Sequence, residues 1–262
     1  LVRAKNKIKV AKIPYEVPER AELAERLEAV LTVVYLVFSE GYAATSGDAW
    51  IRRDLSSEAI RLGRLLERLL PEESEPVALL ALMLLHDARR DARVDARGDL
   101  ILLEDQDRSR WDRAQIVEGC ERVERALRRG GPTPYGLQAA IAALHAQAPA
   151  ATATDWPQIV LLYRELLRRL PSGVVALNHA AAVAMAEGPE AGLRLLSELR
   201  TLEELQSYQP FFATRAELLR RVGRYAEAEP DYRRGLELAK NEPEKRFLQM
   251  RLNEMRAVLG RG

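Results

Sequence analysis

The chain has 262 residues, of which 47% are hydrophobic and 30% charged, and its 40 basic residues nearly balance 39 acidic ones, for a net charge of +1. The small net charge excludes a protein that coats nucleic acid by bulk electrostatics, and with the ordinary apolar fraction it excludes general disorder. No apolar run reaches the roughly 18 residues of a membrane span, and residues 1–12 lack the apolar centre of a secretory signal. The single cysteine, Cys120, cannot form an internal disulfide, so a cytoplasmic protein is expected.

The composition predicts an all-α protein. Ala, Leu, Arg and Glu dominate, aromatic residues make up only 6%, and Gly and Pro cluster at a few places along the chain. The dominant residues are strong helix formers, and a sandwich or barrel would instead need turn residues at short, regular intervals.

Residues 1–14 are predicted to be a basic helix end followed by a linker, because the stretch ends at a proline. The stretch contains no acidic residue before that proline. Its basic residues are Arg3, Lys5, Lys7, Lys9 and Lys12. The chain does not begin with methionine, so a fragment or a processed product is expected.

Residues 15–131 are predicted to form a helical N-terminal lobe, because apolar residues recur there at spacings of three and four. The segment 75–93 is apolar on nearly every side, so its helix is expected at the centre of the lobe. The predicted helices of this lobe cover residues 19–40, 54–70, 75–93 and 112–129.

Residues 132–262 are predicted to form helical hairpins that are similar to tetratricopeptide repeats, after the Gly- and Pro-rich breaker at 130–134. Glu-Ala pairs followed by an apolar residue begin at 190 and 227, and this 37-residue offset is near the period of about 34 in that repeat. The pattern is degenerate, so ordinary helical hairpins remain an alternative. The predicted helices cover residues 135–147, 155–170, 174–187, 188–200 and 212–222, with a capping helix at 243–259.

The residues that could carry catalysis are few. His86, His145 and His179 belong to no His-Glu-x-x-His pair, and each is predicted to be structural. Cys120 lacks the electropositive neighbours that activate a thiol and is predicted to be a small core residue. We therefore expect no enzymatic activity, no catalytic residue, no cofactor and no metal. An enzyme would be indicated if His86 and His145 converged with Asp105.

Residues 87–113, which we call the mixed-charge segment, carry eight acids and seven arginines. The near-equal numbers favour a salt-bridge network in which each acid has a guanidinium partner. A cation or acid–base site at Asp105 and Asp107 is one alternative, and a protein-binding surface is another, since Trp and Arg are common interface anchors. The candidate residues for protein interaction are Asp105, Gln106, Asp107, Arg108 and Trp111.

Several stretches, taken in order, resemble a known family. They are residues 34–42, 54–62, 80–89, 102–112, 134–145 and 154–156. Together they are similar to the C-terminal extension of extracytoplasmic-function type sigma factors of bacterial RNA polymerase, in which the extension ends in tetratricopeptide-like repeats. The resemblance covers residues 15–250, and residues 1–9 resemble the last turns of the helix with which region 4 of such factors reads the promoter.

The resemblance implies a regulatory extension that modulates promoter-directed transcription initiation through protein contacts. The implied partners are core RNA polymerase and the sigma factor's own regions 2 and 4, whereas promoter DNA would be bound only by the full-length protein. It also implies a remnant DNA-binding role for four basic residues, Arg3, Lys5, Lys7 and Lys9. No catalytic or ligand residue is carried over from the family.

A small-molecule sensor is the rival function, with a pocket between the lobes near Trp111, Tyr135 and Trp156. A membrane partner is not expected, and the sequence predicts no particular oligomeric state.

Overall fold

The computed structural model describes residues 20–44 and 51–259. The chain divides into two compact units, Leu1–Val33 and Val34–Gly262. The packing described below is that within the second unit. The predicted basic segment with Arg3, Lys5, Lys7 and Lys9 lies outside the described residues.

The described residues are all-α, as the composition predicts. They contain no strand and only an isolated antiparallel bridge between Val94 and Leu100. No described helix is long and apolar enough to pass through a membrane. The helices are α1 (Arg20–Tyr42), α2 (Arg53–Leu69), α3 (Ser74–Asp87), α4 (Arg113–Gly130), α5 (Pro134–Gln147), α6 (Trp156–Arg169), α7 (Gly173–Glu187), α8 (Pro189–Leu199), α9 (Gln209–Arg221), α10 (Tyr225–Leu238) and α11 (Glu242–Leu259).

Helix α3 is the centre of the first helices, as its apolar sequence predicts. Its residues from Pro76 to Leu85 are all buried, and it packs on α2, α4 and α5. Helix α4 lies so close that a Cβ added at Gly119 would be 2.8 Å from Cγ of Leu85. Glycine is therefore the residue that permits this contact.

The predicted helix at 75–93 is too long, because α3 ends at Asp87 and a 3₁₀ turn, Arg90–Ala92, follows after two residues. The carbonyl of Ala88 accepts a hydrogen bond from the amide of Asp112 (2.8 Å), which lies at the start of α4. A helical continuation would use that carbonyl for the amide four residues later, so the tertiary contact ends the helix.

From α5 to α11 each helix packs on the next one along the chain. The hairpin α7–α8 is followed by α9–α10, and the first residues of corresponding helices, 173 and 209 or 189 and 225, are 36 apart. The hairpins turn at Gly188 (φ 102°) and Gly223 (φ 76°), a backbone conformation that glycine adopts without strain. Helix α5 packs on α3 and α4 as well as on α6, and the lobe boundary after residue 131 stays a prediction.

The last helices return to the earlier part of this unit. The side chain of Asn241 donates to the carbonyl of Ala44 (3.3 Å), across 197 positions of sequence. The guanidinium of Arg246 on α11 donates to Asp99 at 2.5 Å, and that of Arg221, the last residue of α9, donates to Glu104 at 2.6 Å. The mixed-charge segment therefore connects α3 to α4 along the chain, and arginines of α9 and α11 bond two of its acids.

Candidate functional site

Residues 94–100 of the mixed-charge segment form a small turn around the carboxylate of Asp95. Asp95 accepts hydrogen bonds from the amides of Arg97 (2.8 Å) and Asp99 (2.9 Å), and these bonds lower the pKa of its carboxyl group. Gly98 takes φ 79° at the tip, and the bridge between Val94 and Leu100 closes the turn. The turn presents Asp99 to α11.

The acids of this segment do not each have a guanidinium partner, so the predicted network is wrong in that form. Among the described residues these acids form four ion pairs: Asp87–Arg90 at 3.2 Å, Asp91–Arg53 at 2.6 Å, Asp99–Arg246 at 2.5 Å and Glu104–Arg221 at 2.6 Å. Three of the four arginines come from other parts of the chain. Three further acids bond backbone amides instead, at residues 95, 107 and 112.

The five candidate interaction residues separate into two exposed acids and three buried side chains. Asp105 and Asp107 are exposed, whereas Trp111, Gln106 and Arg108 keep only 3%, 7% and 9% of their surface accessible. Asp107 caps the 3₁₀ turn Arg108–Arg110 by accepting from the amide (2.9 Å) and hydroxyl (2.7 Å) of Ser109, and these bonds lower the pKa of its carboxyl group.

Arg108 fastens the segment to the end of helix α5. One guanidinium nitrogen, Nη1, donates to the carbonyls of His145 (2.7 Å) and Ala148 (2.9 Å). The carbonyls at a helix C-terminus lack intrahelical partners and carry partial negative charge, so a buried cation is stabilised there. The guanidinium also lies 4.3 Å from the ring centre of Trp111.

This burial corrects the prediction of a five-residue interaction surface. Neighbouring side chains already cover Trp111, Gln106 and Arg108, which belong to the interior of the fold. A partner contact by Asp105 and Asp107 stays a prediction. These two residues are neither joined by a shared hydrogen bond nor part of a metal-ligand group in the described part of the chain, so the alternative of a cation site has no support there.

Two of the three histidines lie together, beside arginines. Nδ1 of His86 is 3.3 Å from Nη2 of Arg89, and the ring of His145 packs edge-on against Trp156 at 5.1 Å between centres. Burial, followed by the positive charges of Arg89 and Arg108, lowers the pKa of His145 to about 4. Burial, followed by Arg89, Arg93 and His145, holds the pKa of His86 well below its ordinary value.

Neither histidine has a carboxylate near enough to act on it in the described part of the chain. Asp105, which the enzyme alternative requires, points to solvent and does not join them. Burial and the charge of Glu124 raise the pKa of the Cys120 thiol, the opposite of what a nucleophile needs. His86 and His145 are therefore neutral imidazoles beside fixed cations.

A cleft of about 370 Å³ lies on another side of the same helices, between α2, α3 and the start of α4. Its charged lining is already paired, since both oxygens of Glu118 bond Arg64 and Asp87 accepts from Gln115 at 2.9 Å. None of Trp111, Tyr135 and Trp156 lines it. The cleft is therefore not the pocket predicted near these three aromatic residues, and that pocket stays a prediction. Trp111 and Tyr135 pack in one apolar cluster.

The described residues define an all-α protein in which a partly buried segment between two helices is fastened by the buried side chain of Arg108. Residues 26–127 match a family of unknown function, DUF6596. The chain is also 46% identical over 257 residues to an uncharacterized protein of Rhizobium meliloti (strain 1021). That alignment covers 98% of this chain and 60% of the relative, so the chain spans less than two thirds of the relative's length.

Proposed function

We propose that this chain is the regulatory extension of an extracytoplasmic-function type sigma factor, acting in the cytoplasm on promoter-directed transcription initiation. The ordered resemblance over residues 15–250 carries this proposal. The all-α architecture is consistent with it, and the Rhizobium meliloti relative is long enough to hold further domains beside the matched region.

In this proposal the extension acts by protein contacts, with core RNA polymerase or with regions 2 and 4 of the same sigma factor. Helical repeats offer extended surfaces for peptides and helices, and neither catalysis nor a cofactor is required. Arg3, Lys5, Lys7 and Lys9 would contact promoter DNA as part of region 4. Asp105 and Asp107 are the exposed members of the proposed protein contact.

The direct test is transcription with the full reading frame that contains this chain. Purified full-length protein and a version without residues 15–262 are each added to core RNA polymerase on promoter templates selected by genome-wide binding. We expect removal of the extension to change the amount of transcript at least several-fold. Equal transcript yields from both proteins, at equal occupancy of core enzyme, would refute the proposal.

A matched pair of point variants locates the contact without removing a domain. Asp105 and Glu72 are both exposed acids whose carboxylates have no hydrogen bond in the described part of the chain. We expect Asp105→Ala in the full-length protein to alter transcription or affinity for the partner, and Glu72→Ala to alter neither. Equal effects of the two variants would place the contact elsewhere.

A further inference from the structure

The surroundings of His86 and His145 are positively charged and have no negative counterpart in the described residues. Arg89 and Arg108 form no ion pair there, and each lies close enough for its charge to act on His145. The charge of Arg89 also acts on Arg108 itself. We call Arg89, Arg108, Trp111 and the two histidines the basic cluster.

Cations without acidic partners are unusual inside a fold, because burial removes the water that would otherwise solvate them. Elsewhere in this chain a half-buried arginine has an acidic partner: Nη1 of Arg215 donates to both oxygens of the buried Asp231 at 2.6 Å. In the basic cluster the C-terminal carbonyls of α5 stabilise one side of Arg108. Among the described residues, the polar groups that contact the Arg89 guanidinium are the Tyr42 hydroxyl (2.5 Å) and an imidazole nitrogen of His86 (3.3 Å).

The cluster also holds buried N–H groups that donate to nothing in the described part of the chain. Nη2 of Arg108 and Nε1 of Trp111 are such atoms, on side chains that are 91% and 97% buried, respectively, as their 9% and 3% exposures show. Buried donors are nearly always hydrogen-bonded in folded proteins. Because the guanidinium lies against the indole at 4.3 Å, both donors belong to one small region.

Arg89, His86 and His145 each keep part of their surface accessible, whereas Arg108 and Trp111 are buried. A small group bound beside these side chains would therefore meet fixed N–H donors and two guanidinium charges. Planar guanidinium groups match the geometry of carboxylate and phosphate oxygens.

We propose that the basic cluster is a binding site for a small oxyanion, a phosphate or carboxylate group held by Arg89 and Arg108 with the indole N–H of Trp111 as a neutral donor. The proposal does not depend on the sigma-factor function, because it concerns only the side chains around α3, α5 and the mixed-charge segment. The bound anion would supply a negative charge that the described residues do not place beside Arg89 and Arg108.

The chain provides its own reporters for a test, since it has only three histidines. The ring protons of His86, His145 and His179 are followed by NMR from pH 3.5 to 8, in chloride and in inorganic phosphate or acetate at matched ionic strength. Burial is the main cause of the lowered pKa values of His86 and His145, and a bound anion opposes the repulsion by nearby arginines that adds to it. We expect these two values to rise by about one pH unit, saturably with anion concentration, because an opposite charge at contact distance has an effect of this size.

His179 is the internal control, because the charges that act on it come from Arg164 and Glu187 and not from the basic cluster. A response to phosphate alone supports a phosphate group, a response to acetate alone supports a carboxylate, and a response to both supports the shared oxyanion chemistry. Equal shifts at all three histidines, or no saturable shift up to 50 mM anion, would overturn the proposal. Thermal stabilisation alone is insufficient, since phosphate stabilises many proteins by exclusion from their surface.

Arg89→Gln is the variant that removes the central charge, and Arg128→Gln is its matched control because the side chain of Arg128 is 71% exposed on α4. We expect Arg89→Gln to abolish the anion response and Arg128→Gln to retain it. Helical circular dichroism shows that each variant is folded. An unchanged anion response in folded Arg89→Gln would overturn the site, whatever the transcription experiment shows.

Discussion

Arg108 should contribute several kcal/mol to the free energy of unfolding, although its neighbours in sequence, Asp105 and Asp107, are exposed. Replacement by alanine removes two hydrogen bonds from a charged donor to the carbonyls of His145 and Ala148 and uncovers Trp111. Hydrogen bonds to charged groups contribute about 1.5–3 kcal/mol each. Because Nη2 of the same guanidinium is buried and has no hydrogen-bond partner among the described residues, its removal offsets part of that loss. We expect Arg108→Ala to lower the free energy of unfolding by about 3 kcal/mol.

Urea denaturation followed by circular dichroism measures this loss. With a slope of about 2–3 kcal/mol per molar urea, the midpoint of Arg108→Ala should fall by about 1–1.5 M. Asp105→Ala is the control, because an exposed side chain without partners is expected to change stability by less than about 0.5 kcal/mol. Arg108→Lys should lie between them, since an ammonium group cannot reproduce the planar stacking on Trp111. If Arg108→Ala and Asp105→Ala unfold at the same urea concentration, the structural role of Arg108 is refuted.

Three further predictions concern pH, helix contact and a buried ion pair. In the unfolded chain His145 binds a proton near pH 6.5 but in the folded chain only near pH 4, so unfolding free energy should fall, by up to about 1.4 kcal/mol per pH unit, as the pH drops through that window. His145→Gln should flatten this slope in urea titrations, and an unchanged slope would contradict the pKa assignment. Gly192→Ala should cost about 1–3 kcal/mol in thermal unfolding, because its Cβ would be 2.5 Å from that of Ala184 across the α7–α8 contact. Asp231→Ala should cost about 3 kcal/mol in the same assay by leaving the half-buried Arg215 without its acid, and a loss below about 1 kcal/mol would refute the contribution of this pair.

The order of the helices could be predicted from the sequence because it depends on local patterns. Spacings of three and four mark the buried faces, and the prolines and glycines at 130–134, 171 and 188 mark ends that the structure also shows. The two Glu-Ala pairs are 37 residues apart in the sequence, and the corresponding helices of the two hairpins begin 36 residues apart. The end of α3 at Asp87 was not predictable in this way, since it depends on a hydrogen bond between Ala88 and Asp112.

The candidate site was harder to predict because its partners are distant in sequence. Arg108 bonds carbonyls 37 and 40 positions away, and Arg246 reaches Asp99 across 147 positions. The nearly equal numbers of acids (eight) and arginines (seven) in the mixed-charge segment suggested pairing within the segment. Three of the acids instead pair with arginines from α2, α9 and α11. The balance of charge within the segment therefore does not predict the partners of Arg89, which has no acidic partner in the described residues.

The basic cluster and the proposed protein contact share one short piece of backbone. Asp107 caps the 3₁₀ turn whose first residue, Arg108, reaches into the cluster, and Asp105 lies two residues before Asp107. An anion that changes how Arg108 is held would therefore change the position of both exposed acids. Coupling between two binding sites is reciprocal, so a partner bound at Asp105 must change the affinity for the anion by the same factor as the anion changes the affinity for the partner. A partner affinity that is the same in phosphate and in chloride at saturating anion would show that the two sites are independent, whereas a several-fold difference that Arg89→Gln abolishes would make the basic cluster the sensory input of the extension.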